Sequence, residues 1–176
     1  GYDVMQIDSQ APLSALTKVW KAHAKTDAPL PLHLIMAVYA DSAEAIYSGN
    51  YSQTNVISLD EANGSITLAH ALASGQFICW GIRDPAVAEA DLTIVCDQVL
   101  RELNSTPDFG LLFSCLGRGP YFYGGIDRDL NVLKEQFPHM PLLGFYGNGE
   151  IAPISNKNQL LPYSAVLSLF ASTSTS

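Results

Sequence analysis

The pattern of apolar and polar positions changes period several times along the chain, and each change marks an element. Residues 2–8 predict a short strand. Pro12 then stands at the favoured first position of a helix. Leu13, Leu16 and Trp20 give that helix one apolar face to about Ala24, and Pro29 and Pro31 end it. Residues 32–40 are apolar on both alternations, the pattern of a buried strand. Residues 41–53 are small, polar and Tyr-containing, and read mostly as loop. Segments 55–59 and 65–71 flank Asn63-Gly64, the strongest short-range hairpin signal. Residues 76–82 predict a further strand.

In the second half, Asp84-Pro85 combines a helix N-cap with Pro in the first turn. The helix it opens runs to about Leu103, with Ala88, Leu92, Val95, Val99 and Leu103 along one stripe. Residues 109–115 form an apolar strand that ends in Gly117-Arg118-Gly119-Pro120, with Gly124-Gly125 beyond. Residues 127–137 predict a helix buried through Leu130, Leu133 and Phe137, which Pro138 and Pro141 end. Residues 142–146 are the next strand, running into Gly147-Asn148-Gly149, and 164–170 are the last. Helices and strands interleave, but three strands run in succession. The expected class is α/β (α+β): a mixed, partly parallel β-sheet with helices packed on it, in a single domain of residues 1–170. A flexible tail or linker is expected at 171–176.

Composition narrows the function. Of 176 residues, 48% are apolar and 15% charged, too apolar a mixture for a disordered chain. Nine Lys+Arg against seventeen Asp+Glu give a net charge of −8. Nucleic acid needs a basic footprint and an anionic membrane attracts one, so neither is an expected partner. The longest apolar stretch, residues 30–40, contains Pro and His and is too short to span a bilayer. Cys79, Cys96 and Cys115 have neither the number nor the spacing of a disulfide framework or a zinc site. They point to a reducing, cytoplasmic compartment and to no metal or cofactor. The chain starts at Gly1 and ends in a Ser/Thr run, which reads as a domain cut from a longer protein.

The chemistry-bearing residues collect between 111 and 150, where two strands each end in a Gly-rich polar turn. In open α/β sheets, sites form at the carboxyl ends of strands. The first turn brings Ser114, Cys115, Arg118 and Tyr121; the second brings Asn148 and Glu150. Gly117, Gly119, Gly147 and Gly149 allow backbone amides to approach a ligand. Arg118 offers a planar fork for a carboxylate, and Glu150 accepts from an ammonium or hydroxyl. Together they suit a zwitterion such as an amino acid; alternatively they pair with each other and hold the two turns. Cys115 near Arg118 is a candidate thiolate nucleophile, although no His stands where a base would be needed. Cys79 and Cys96 read as core residues. The glycines make neither a dinucleotide fingerprint nor a Walker-type loop.

Two runs in this region, Leu112-Phe113-Ser114-Cys115-Leu116-Gly117-Arg118-Gly119 and residues 141–153 around Gly144-Phe145-Tyr146-Gly147-Asn148-Gly149-Glu150, resemble the C-terminal domain of the FIST family. A third match lies at Tyr163-Ser164-Ala165-Val166-Leu167. The resemblance implies an intracellular sensory module of signal transduction that binds a small ligand, with amino acids or other small carboxylates the favoured class and no catalysis. The positions it matches are Cys115, Gly117, Arg118, Gly144, Gly147, Asn148, Gly149 and Glu150, and the expected ligand-binding set is Cys115, Gly117, Arg118, Gly119, Tyr121, Gly147, Asn148, Gly149 and Glu150. It also implies an upstream FIST N-terminal domain and a signalling output domain as partners. A protein-interaction module of F-box type and a thiol enzyme using Cys115 are the other readings.

Overall fold

The structure is a computed structural model; it describes residues 2–25, 27–154 and 157–172. The expected α/β class with a partly parallel sheet holds, and within it the chain divides into two compact units at Asp84/Pro85.

In the first unit, β1 (Asp3–Val4), α1 (Pro12–Ala24), β2 (Ile35–Ala40), α2 (Ala43–Tyr47), β3 (Ser52–Asp60), β4 (Ser65–Leu68) and β5 (Phe77–Ile82) follow in order. The strands make one sheet in the order β1-β4-β3-β2-β5, with every neighbouring pair antiparallel. Leu16 of α1 packs into the cluster of Ile35, Ala37, Val56, Ile66 and Leu68, which faces the helix because alternate strand residues share a side. The turn between β3 and β4 is held by Asp60, whose carboxylate accepts from the backbone N–H of Ala62 and Asn63 and from the Asn63 side chain.

Three expectations change here. The first strand is cut to two residues, because Asp8 and Ser9 take positive φ and fold the chain back on itself at Ile7 and Gln10. The stretch from 32 begins with a 3₁₀ turn, Leu32–Leu34, before β2. The segment expected as loop contains α2, capped by the Ser42 hydroxyl accepting from Ala45 N–H.

The second unit carries α3 (Pro85–Leu103), β6 (Phe109–Cys115), α4 (Arg128–Gln136), β7 (Leu142–Gly147), β8 (Glu150–Ile154), β9 (Lys157–Leu161) and β10 (Ala165–Phe170). Its main sheet has the order β10-β6-β7, with β6 and β7 parallel across α4 and β10 antiparallel to β6. Leu92 and Cys96 of α3 and Val132, Leu133 and Phe137 at α4 form its core, against Leu112, Leu142, Leu167 and Leu169 of the sheet. The β8–β9 hairpin was not expected from sequence: Pro153 interrupts its first strand, and its apolar residues do not alternate cleanly. At the end of the chain, the N–H and hydroxyl of Ser172 donate to Asp108. Residues 173–176 of the expected tail lie outside the described residues.

Among the described residues, no helix is long and apolar enough to cross a membrane.

Candidate functional site

Cys115 stands opposite Gly147 in the parallel β6–β7 register. The two turns expected to share a site therefore do lie side by side, at the carboxyl ends of neighbouring strands. A third segment joins them. The Cys115 N–H donates to Ser164 O at 2.9 Å. The Tyr163 ring covers Gly117 so closely that a Cβ there would lie 2.4 Å from it. Tyr163 itself takes φ +59°, a left-handed conformation rare for a bulky residue.

Glu150 opens β8 beside these turns and is 5% exposed. The Ser164 hydroxyl donates to its Oε2 at 2.6 Å and also lies 2.9 Å from Leu161 O. A carboxylate taken out of water needs donors, and Ser164 supplies one. Asn148 is exposed, and Gly149 takes φ +144°, which opens the turn between β7 and β8.

Arg118 turns away from this cluster. Its Nε and Nη2 donate to the two carboxylate oxygens of Asp129 at 2.7 and 3.1 Å, and Nη2 also donates to Ala88 O at 3.0 Å. The Tyr123 hydroxyl donates to Asp129 Oδ1 at 2.5 Å. Asp129 is only 2% exposed, so its ring of donors is what makes its burial tolerable. Burial works against the Arg118 charge, but the hydrogen bond to Asp129 and its charge outweigh that, and the Arg118 pKa is raised. Burial, and then the bond to Asp129, raise that of Tyr123.

Arg118 and Glu150 thus do not pair with each other, as one sequence reading had it. Arg118 ties the turn after β6 to α3 and α4, and Glu150 ties β8 to the turn before β10. Tyr121 is exposed, while Phe122 packs its ring against Tyr123 at 4.8 Å. Tyr146 of β7 adds a further tie: its hydroxyl donates to Asp127, whose other oxygen caps α4 by accepting from Leu130 N–H. Its ring lies against Gly119.

Sequence reasoning missed Asp129, read Tyr123 only as part of an aromatic cluster with Tyr121 and Phe122, and named Tyr163 and Ser164 only within a family match, with no role. Asp129 stands in the first turn of α4, where an acid is favoured by the helix dipole anyway, and that hides its pairing role.

The thiols separate by environment. Cys96 is fully buried, and burial, with the charges of Asp97 and Asp129, pushes its pKa up to about 11. Cys115 is 5% exposed. Cys79 is exposed on the edge strand β5, contrary to the expected core position, because its neighbours Ile78 and Trp80, on the alternate face, are the ones that pack against the core. Iodoacetamide near neutral pH is expected to label Cys79 first, with Cys115 and Cys96 modified only as the chain unfolds. Peptide mapping over time checks this order, and fast labelling of Cys115 would favour the nucleophile reading.

An open groove of about 570 Å³ lies elsewhere, in the first unit, between α1 and the β3–β4 turn, with Ser14, Lys18, Lys21 and Glu61 among its lining residues. Among the described residues, no three His, Cys, Asp or Glu are placed to hold a metal ion.

Comparison with known proteins decides the family. The model of the FIST C domain matches residues 13–153. The chain belongs to the FIST C-domain family. Membership points to a sensory domain of signal transduction. The match takes in Cys115, Arg118, Gly144, Gly147 and Glu150, and stops before Tyr163 and Ser164. Uncharacterized proteins of Mycobacterium tuberculosis and Mycobacterium bovis are each 27% identical to this FIST C domain over 172 residues, covering 97% of the chain and 45% of the relative. The chain thus spans less than half the length of these relatives. Human F-box only protein 22 is 32% identical over 107 residues, 57% of the chain and 25% of its own length. No solved structure matches the chain.

Proposed function

We propose that this FIST C domain is a ligand-binding sensor module of a cytoplasmic signalling protein and works without catalysis. The observation that carries the reading is the meeting of two Gly-bearing turns at the ends of β6 and β7 with the buried Glu150 between β8 and Ser164. Exposed backbone in the turn 147–149 offers amides to a ligand's carboxylate, and Glu150 offers an acceptor to an ammonium or hydroxyl. An amino acid is the favoured ligand class. Because the Arg118 fork is filled by Asp129, Arg118 serves this site as a positioning residue: it holds the turn that carries Gly117 and Gly119. An upstream FIST N-terminal domain and an output domain complete the proposed signalling protein. A ligand shifts their arrangement by no more than its differential affinity for the two states.

A thermal-shift screen of the chain against amino acids and small carboxylates tests this. A ligand at 100 times its dissociation constant adds about 2.7 kcal/mol of stability, and the midpoint should rise by roughly 5–10 °C. Glu150→Gln should abolish the rise measured against its own ligand-free midpoint. A hit that survives Glu150→Gln moves the site elsewhere, and a flat screen counts against ligand binding by this chain.

The match to an F-box protein favours a second reading, a protein-interaction module. A screen with no hits, together with a partner captured through the turns 116–119 and 147–149, would distinguish it.

A further inference from the structure

The chain holds two Asn-Gly pairs, Asn63-Gly64 and Asn148-Gly149. Both asparagines are exposed in turns. Asparagine is a thermolabile residue, because the backbone nitrogen of the next residue can attack its side-chain carbonyl carbon. Glycine in that next place has no side chain to obstruct the attack. The two turns hold their asparagines differently.

Asn63 is pinned. Its Nδ2 donates to Asp60 Oδ2 at 2.7 Å, and its backbone N–H donates to Asp60 Oδ1 at 3.1 Å. The carbonyl of Gly64 accepts from Leu13 N–H at 3.1 Å. The side-chain bond from Asn63 holds the Asp60 carboxyl below its usual range, so Asp60 stays a charged acceptor at neutral pH. Ring closure at Asn63 has to break the Nδ2 bond and turn a peptide that is fixed on both sides. The Asn148 carboxamide has no hydrogen-bond partner among the described residues. Gly149 beside it takes φ +144°, which side chains of L-residues rarely allow. The backbone that requires glycine at 149 thereby removes the side chain that would shield Asn148.

We infer that Asn148 is a site of spontaneous deamidation whose conversion disrupts the turn between β7 and β8. The Gly149 nitrogen bonds to Asn148 Cγ, the bond from Cγ to Nδ2 breaks, and ammonia leaves with the proton the Gly149 nitrogen gives up. A succinimide ring results. Water then reopens it. Cleavage of the nitrogen–Cγ bond leaves an aspartate at position 148, and cleavage at the backbone carbonyl leaves an isoaspartate. One water is consumed and one ammonia released, and nothing is oxidised or reduced.

Either product adds a negative charge two residues from the buried Glu150, in a chain already at −8. The isoaspartate also routes the backbone through one extra carbon. Gly147 is registered opposite Cys115 in β6, and Glu150 opposite Leu161 in β9. With only two residues between those pairings, the longer backbone has to displace one of them. The modification does not rest on the ligand reading; where that reading holds, deamidation retires the site with age.

The test is incubation of the purified chain in heavy-oxygen water at neutral pH and physiological temperature, followed by peptide mapping. One heavy oxygen should enter position 148, shared between aspartate and isoaspartate products, at least about 5-fold faster than at position 63. Asn148→Gln should block it, since the longer side chain would have to close a larger ring. Asp60→Ala should bring the rate at Asn63 up toward that at Asn148. An Asn148 that converts no faster than Asn63 in the folded chain would overturn the inference. The isoaspartate fraction, separated by chromatography, should melt below the fresh chain, and Asn148→Asp, which adds the charge without the extra carbon, should fall less. An isoaspartate fraction that melts with the fresh chain would overturn the effect on the turn.

Discussion

Asp129→Ala is expected to destabilise the second unit by about 3–5 kcal/mol, the usual cost of leaving one member of a buried ion pair without its partner. The substitution strands the Arg118 guanidinium, whose side chain is 14% exposed, and leaves the buried Tyr123 hydroxyl without its acceptor. Three segments lose their common anchor: the turn after β6, the loop carrying Tyr123, and the first turn of α4. Urea denaturation of the variant beside the parent chain measures the loss. The combined variant Arg118→Met, Tyr123→Phe, Asp129→Leu should recover much of it, because an apolar set of similar volume removes the unpaired charge altogether. If Asp129→Ala unfolds at the parent's midpoint, the carboxylate is not the hub described here.

Gly144→Ala is expected to cost about 3 kcal/mol or more. Gly144 faces Leu112 across the parallel β6–β7 pair, and a Cβ on it would lie 1.7 Å from Leu112 O and 2.6 Å from the carbonyl carbon. Those are backbone atoms of the central strand, so relief requires β6 and β7 to separate. Gly147→Ala three residues on is the comparison. Its nearest neighbours would be 3.5 Å away or more, an ordinary contact, and its cost should stay within about 1 kcal/mol. The same denaturation experiment separates the two. Equal losses would mean that the Gly144 approach is not as tight as its geometry indicates.

Both positions show how far the sequence could be read. Gly144 and Gly147 look alike in the string Leu143-Gly144-Phe145-Tyr146-Gly147, and only the register against β6 tells a steric requirement from a tolerated turn. The helices α1, α3 and α4 were legible because Pro12, Asp84-Pro85 and Asp127 punctuate them and their apolar stripes keep helical spacing. The β3–β4 hairpin was legible through Asn63-Gly64. The β8–β9 hairpin was not, since Pro153 stands in its first strand and its apolar residues do not alternate cleanly. At the candidate site, the adjacency of the two turns followed from strand order. The partners of Arg118 and Glu150 did not, because the Asp129 carboxylate is brought to Arg118 by α4 and the Ser164 hydroxyl to Glu150 by the turn before β10. Asp129 lies eleven residues after Arg118 and Ser164 fourteen after Glu150, and no spacing rule singles out either.

The place of β10 has a consequence for synthesis. The last strand pairs along the whole of β6, from Phe109 opposite Phe170 to Ser114 opposite Ala165. A ribosome adding about 5–20 residues per second therefore leaves β6 with one edge bare for several seconds after it emerges. Its neighbour β7 arrives about midway and protects only the other side. During that interval the nascent chain presents an unpaired, uncharged apolar strand, the kind of edge that recruits other strands. Yield in the cell should then depend on how quickly the residues of β10 follow, and on chaperones that hold β6 until they do.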